Sequence, residues 1–231
     1  MKIISKRGGH FCLRLAGICV FLLIVGSFSA LPVMVYMNHF NVVTVTIGYG
    51  LYALEIAVLW WAYQWTAKRH ALTLPKLTAR VDQRRLLTIL IGVVVILGVC
   101  FVHVQLMKNF GIPEPENARD LDKMMQLHPI ALLIDACLFG PICEELLFRG
   151  LFFNLSLSSR LAQQRVYQVV AVVVNGMLFG FLHCDNSFEP FLYYSLFGVV
   201  LAVSYLTSNR DIRVDISIHM LANIMIAILG F

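Results

Sequence analysis

The sequence predicts an all-α, polytopic membrane protein, a transmembrane helical bundle of about seven spans. Three observations carry that prediction. Of 231 residues, 59% are hydrophobic. Only 13% are charged, about half of what a soluble globular domain uses to cover its surface. The apolar residues also gather into runs near the ~20 residues that a helix needs to cross a hydrocarbon core of about 30 Å.

Taken in order, the spans fall near 11–37, 41–66, 86–107, 129–153, 166–184, 191–208 and 214–231. Together they use most of the chain, so residues 1–231 read as one integral membrane domain in the lipid bilayer of the cell membrane, with no second folded domain. Met1 to Arg14 followed by Ser27-Phe28-Ser29-Ala30 has the outline of a cleavable leader, but the apolar run continues through Leu31 to Tyr36. A retained first span is therefore expected.

The basic residues orient the spans. Lys2, Lys6 and Arg7 precede the first; Lys68, Arg69, Lys76, Arg80, Arg84 and Arg85 lie between the second and third. Arg160 and Arg165 follow the fourth, and Arg210 and Arg213 follow the sixth. Every even connection is basic, which places the N-terminus in the cytoplasm and the C-terminus outside. The segment 108–129 is the longest outer connection, with a break at Pro113-Glu114-Pro115 and a short amphipathic helix over Asn117 to Gln126.

The net charge of +5 raises the question of nucleic acid. No basic patch with interleaved aromatics is present, so none is expected as a partner. The six cysteines show no CxxC spacing and imply neither a disulfide framework nor a zinc knuckle. Thiol nucleophiles at Cys143 or Cys184, each beside a motif residue, are disfavoured by the ~100° that separates neighbours on a helix. Glu55 and Asp135, isolated acids within spans, read as hydrogen-bond partners between helices. Phe181, Phe188, Phe191, Tyr193 and Tyr194, near the outer ends of spans five and six, read as an interfacial aromatic belt, with contact to substrate the alternative.

One stretch resists the membrane reading. Gly140-Pro141-Ile142-Cys143-Glu144-Glu145-Leu146-Leu147-Phe148-Arg149-Gly150 puts three charges inside an apolar run. An unpaired charge at the bilayer centre costs about 2.5–3.5 kcal/mol even on lenient scales, so such a cluster marks function by default. On a regular helix Glu145 and Arg149, at i and i+4, pair on one face and leave Glu144 for chemistry. An ion pair that only locks helices together is the plainer alternative.

Two histidines join the carboxylates. Span five ends at Phe179-Gly180-Phe181-Leu182-His183, and span seven holds Asp215, His219 and Asn223 at i, i+4 spacing on one face. A carboxylate and a neutral imidazole can hold and deprotonate a water, and Asn or His donors can receive the charge of a tetrahedral intermediate. The same set, Glu144, His183 and His219, can instead bind zinc and acidify its water. No His-Glu-x-x-His helix is present, and the residues alone do not choose between the two. Counting ~1.5 Å per residue from the basic loops puts His219 near the cytoplasmic end of its span and His183 near the opposite end. A late-starting, re-entrant or broken helix is expected to reconcile them, with Gly140-Pro141 the obvious break.

In order, Glu144-Glu145-x-x-x-Arg149, Phe179-x-x-x-His183 and His219-x-x-x-Asn223 resemble the three signature motifs of the CPBP (CAAX protease and bacteriocin-processing, or Abi) family of intramembrane endopeptidases. The resemblance covers residues 129–231, a catalytic core between spans four, five and seven. It implies peptide-bond hydrolysis, with Glu144 as the water-activating base and His183 as its partner. His219 and Asn223 would be oxyanion stabilisers or ligands, and Glu145 with Arg149 a supporting pair. Relatives in eukaryotes trim prenylated CAAX proteins; bacterial members are associated with bacteriocin self-immunity or peptide-signal maturation, and this chain looks like the bacterial branch. The implied partner is a peptide or membrane-protein substrate, and the implied cofactor, if any, is zinc. Two rivals stand beside this reading: an ion-coupled transporter with a Glu-Arg relay, and a non-catalytic membrane immunity or scaffold protein.

Overall fold

The computed structural model describes residues 2–28, 31–37, 40–111, 126–157, 164–184 and 188–229. Among these there is no strand. In chain order the elements are α1 (Lys2–Phe28), α2 (Leu31–Met37), α3 (Val42–Arg69), α4 (Gln83–Phe110), α5 (Pro129–Ile134), a π-helix π1 (Asp135–Phe139) and α6 (Gly140–Glu144). A second π-helix, π2 (Glu145–Leu151), follows, then α7 (Phe152–Ser156), α8 (Arg165–His183), α9 (Phe188–Thr207) and α10 (Ile212–Leu229). The breaker at Pro113-Glu114-Pro115, most of the amphipathic helix expected over Asn117 to Gln126, Arg160 and the small residues Ser29 and Ala30 lie outside the described residues.

Phe11–Tyr36, α3, α4, α8, α9 and α10 are long and apolar enough to cross a membrane. Among the described residues that is six, and the expected fourth span at 129–153 is the difference. Instead of one helix it forms five short pieces that alternate α and π geometry from Pro129 to Ser156. Pro141 supplies a physical reason for the first change: it has no N–H to give and its ring crowds the preceding turn.

The chain divides into two compact units, residues 1–73 with 146–171 and residues 74–145 with 172–231. In the first, Asn41 caps α3. Its Oδ1 accepts from the backbone N–H groups of Val43 and Thr44, and Thr44 Oγ1 accepts from the Asn41 N–H, a reciprocal box that fixes where the helix starts. Further along α3, Tyr63 and Thr66 are buried against α7. Asn154 Nδ2 donates to the Tyr63 carbonyl (3.1 Å) and to Thr66 Oγ1 (3.2 Å). Both bonds are buried, so Asn154→Ala is expected to cost about 1–3 kcal/mol, measured as a lower denaturation midpoint in detergent; an unchanged midpoint would contradict this assignment.

In the second unit α4 starts at Asp82, whose Oδ1 accepts from the Arg85 N–H, and stops at Gly111, in the left-handed region at φ 62°. Helix α10 packs along α4, with Ile218 so close to Gly92 that an added Cβ there would meet Ile218 Cδ1 at 2.7 Å. A buried ion cluster fixes the start of α10. Asp211 takes both prongs of Arg213 (2.8 and 2.7 Å) and the Nε of Arg85 (2.9 Å). Arg213 Nη1 also donates to the carbonyls of Leu77 and Ala79, tying the connection before α4 to the first turn of α10. Such forked, charge-assisted bonds set register more than they add stability.

Asp135 departs from expectation. It is buried in π1, but among the described residues neither carboxylate oxygen has a hydrogen-bond partner, so it is not the interhelical link the sequence suggested.

Candidate active site

The site lies within the second unit and begins with a missing donor. In π1 the bonds run from i+5 to i, and the Gly140 N–H donates to the Asp135 carbonyl. The next bond in that register would join Pro141 to the Ala136 carbonyl. Pro141 has no hydrogen to give, and the carbonyl is taken instead by Asn223 Nδ2 of α10 at 2.7 Å. This bond lashes α10 to the broken segment. His219, one turn earlier on the same face, is carried with it toward Glu144.

His219 is oriented from behind. Its Nδ1 lies 2.8 Å from Glu145 Oε1, and both groups are buried. A carboxylate accepts, so Nδ1 carries a proton and Nε2 is turned to the other side. On that side His219 Nε2 stands 3.8 Å from Glu144 Oε2.

His183 is set the same way by a different acceptor. At the end of α8 its Nδ1 donates to the Phe179 carbonyl at 2.7 Å, four residues back on the same helix face. The ring stacks on Phe179 at 4.2 Å and lies against Tyr194 at 4.9 Å. Its Nε2 lies 3.7 Å from the same Glu144 Oε2. Two imidazole nitrogens and one carboxylate oxygen thus face a common point. Separations of 3.7 and 3.8 Å are too long for direct hydrogen bonds and suit one bridging water.

Glu144, His183, His219 and Asn223 line one cavity of about 360 Å³, with Phe179, Tyr193, Tyr194, Phe197 and Cys137 among its other walls. Glu144 and His183 are partly exposed to it, each side chain at 27%, whereas His219 is at 5%. Of the six residues singled out from sequence, four meet in this cavity and Glu145 stands behind His219. Arg149 is different. It is wholly buried in π2, within the first unit, its guanidinium carbon 5.9 Å from the Phe148 ring centroid.

The depth conflict between His183 and His219 also resolves by contact, since both reach Glu144. Neither α8 nor α10 starts late. The segment that carries Glu144 is the broken one, wound in short α and π pieces around Gly140-Pro141. Sequence reasoning missed Glu145 as the orienting partner of His219, and it missed Tyr193 and Tyr194 as cavity walls. Cys143 is buried, and Cys184 Sγ donates to the Phe181 carbonyl at 3.3 Å.

Fold and site together define a multi-pass helical membrane protein with a carboxylate and two imidazoles gathered at an internal cavity. Residues 126–225 match the family model described as Type II CAAX prenyl endopeptidase Rce1-like, which supports the resemblance of this segment to the CPBP family. The chain is 31% identical over 86 residues to the membrane-embedded CAAX protease MroQ of Staphylococcus aureus (strain USA300), covering 37% of this chain and 34% of that protein. It is 27% identical over 121 residues to YdiL of Bacillus subtilis (strain 168), a membrane peptidase by name, covering 52% of this chain and 46% of YdiL. The chain thus spans less than half the length of the curated relatives it matches. No solved structure matches it.

Proposed function

We propose that the chain is an intramembrane endopeptidase that hydrolyses a peptide bond of a membrane-associated peptide or protein, using a water held by Glu144, His183 and His219. The observation that supports this most is the pair of imidazole Nε2 atoms, 3.7 and 3.8 Å from one Glu144 Oε2. With each imidazole in its neutral Nδ1–H form, a water at their common point donates its two hydrogens among these acceptors and keeps a lone pair for the substrate carbonyl. On attack the O–C bond forms, Glu144 takes the water proton, and the carbonyl oxygen becomes an oxyanion. One Asn223 Nδ2 hydrogen is committed to Ala136, and the other is available to that oxyanion. Collapse breaks the C–N bond, and the proton held by Glu144 passes to the leaving amine. Glu145 holds His219 so that Nε2 faces Glu144, the orienting role a carboxylate plays behind a catalytic imidazole.

Zinc takes carboxylate and imidazole ligands at about 2.0–2.2 Å in a tetrahedron, which sets ligand atoms about 3.4 Å apart. The spacing here is wider, and among the described residues no three His, Cys, Asp or Glu side chains are disposed to hold a metal ion. The water is accordingly assigned to the protein groups alone. By name MroQ is a CAAX protease, which favours a peptide substrate here as well. Bacteriocin self-immunity or peptide-signal maturation, with the N-terminus in the cytoplasm, is the physiological setting we favour.

Cleavage of a reporter peptide by the detergent-purified chain tests this. His183→Ala is expected to lower the rate at least ~100-fold, and a strong chelator is expected to leave the wild-type rate within about twofold. Rapid cleavage by the folded variant would overturn the role of His183; chelator-sensitive cleavage restored by zinc would overturn the metal-free water.

A further inference from the structure

Helix α9 carries none of the residues assigned to the water, yet both imidazoles lean on it. Tyr194 and Phe197, at i and i+3, share a face of α9 and both line the cavity. The Tyr194 ring lies against the His183 imidazole with centroids 4.9 Å apart and planes inclined by 30°. Phe197 meets His219 edge-on, at 5.1 Å and 63°. It also lies parallel to Phe179, at 5.9 Å with planes 6° apart, and Phe179 in turn stacks on His183 at 4.2 Å. Gly198 permits this gathering, since a Cβ there would come within 2.9 Å of Phe179 Cβ.

The imidazoles need these rings. Each is tied at Nδ1 by one hydrogen bond, to the Phe179 carbonyl or to Glu145. A single bond tolerates tens of degrees of misalignment, and the histidine χ2 well is broad. A ring tied only at Nδ1 therefore pivots, and Nε2, across the ring, moves with the pivot. Groups that act on one reacting atom must be held within about 0.5 Å and 10–20°. A flat ring packed on the imidazole supplies the constraint that the hydrogen bond does not.

We infer that Tyr194 and Phe197 are positioning residues: Tyr194 sets the plane of His183 and Phe197 that of His219, so that both Nε2 atoms converge on Glu144 Oε2. The effect on rate rests on the peptidase reading; the effect on the imidazoles does not. The aromatic ring of Tyr194 carries the role, and its hydroxyl does not.

Tyr194 gives the cleaner test, because it is half-buried while Phe197 is in the core. Tyr194→Phe keeps the ring and is expected to cleave a reporter peptide within about twofold of wild type. Tyr194→Leu keeps apolar bulk without a flat face, and its kcat is expected to fall about 10–100-fold with KM within about twofold. Phe197→Leu, assayed below its unfolding midpoint, is expected to lose kcat in the same range. A second readout needs no turnover. In histidine-labelled protein in detergent, the His183 Nδ1–H proton, assigned by its absence from His183→Gln, is expected to be sharp in wild type and Tyr194→Phe. In Tyr194→Leu it is expected to broaden beyond detection. Equal loss of kcat in Tyr194→Phe and Tyr194→Leu would transfer the effect to the hydroxyl and overturn the inference. Cleavage by wild type with kcat and the His183 proton unchanged in Tyr194→Leu would sink the positioning role and leave the peptidase reading intact. The expected broadening, in a protein whose wild type cleaves no peptide, would do the reverse.

Discussion

Glu144→Gln is expected to lower the rate of peptide cleavage by about 10²–10⁴-fold, the range that a positioned general base contributes, while leaving the unfolding midpoint unchanged. The substitution keeps the size and planarity of the side chain. It removes only the capacity to take a proton. Because Glu144 is partly exposed to the cavity and not locked in the core, exchanging its charge for an amide leaves no buried ion stranded. His183 and His219 keep their orienting acceptors, the Phe179 carbonyl and Glu145, so a water still binds and only its activation is lost. Substrate affinity should then be nearly constant and kcat should carry the effect. A Glu144→Gln variant that cleaves within about tenfold of wild type would remove Glu144 from the base role. A merely structural Glu144 would instead show a lowered midpoint with cleavage recovering on stabilisation. Glu145→Gln provides the contrast. Glu145 is wholly buried behind His219, so its loss should disturb both tautomer and stability.

The contrast between these two neighbouring glutamates also marks what sequence can reveal. The i, i+4 spacings carry real information where the helices are regular. Phe179 and His183 meet through backbone carbonyl and ring nitrogen, and His219 and Asn223 share a face of α10 because 3.6 residues per turn puts them there. Hydropathy locates the six long apolar segments for the same reason. Sequence fails where the helix changes type. Nothing in 129–156 states that residues 135–139 and 145–151 will wind as π-helices, yet that winding leaves the Ala136 carbonyl for Asn223. Pro141 is the visible signal, but it reads as a break, not as a docking point for another helix. The partnership of Glu145 with His219, 74 residues away, has no local signature at all. Tyr193 and Tyr194 are easily misjudged because an aromatic at a span end is ordinarily an interfacial anchor, and only packing reveals a wall.

The second large effect is expected far from any charged group, at Gly180. Helices α8 and α9 cross on small residues. A Cβ at Gly180 would run into Ser195 Oγ, the Phe191 carbonyl at 2.5 Å and the Ser195 nitrogen at 2.8 Å. At Gly176, one turn earlier, it would meet Val199 Cγ2 at 2.5 Å and the Ser195 carbonyl at 2.8 Å. From the other side Gly198 admits Phe179. Small residues four apart let membrane helices approach until their backbones touch, and dispersion contacts then hold them. Gly180→Ala should therefore force the two helices apart, since backbone atoms cannot rotate aside. Overpacking of this kind costs about 1–3 kcal/mol. The functional cost should be greater than the loss of stability suggests, because His183 lies three residues beyond Gly180 and its ring is held between Phe179 on one helix and Tyr194 on the other. A displacement near 1 Å at a reacting group can cost about 100-fold. Cleavage by Gly180→Ala should accordingly fall about 100-fold under conditions where the variant is fully folded, whereas Gly50→Ala, whose Cβ meets nothing within 4 Å, should be neutral. Adding Ser195→Gly removes only one of the three clashes, so it should not restore activity. Restoration by that change would mean the hydroxyl, and not the backbone approach, sets the distance between α8 and α9.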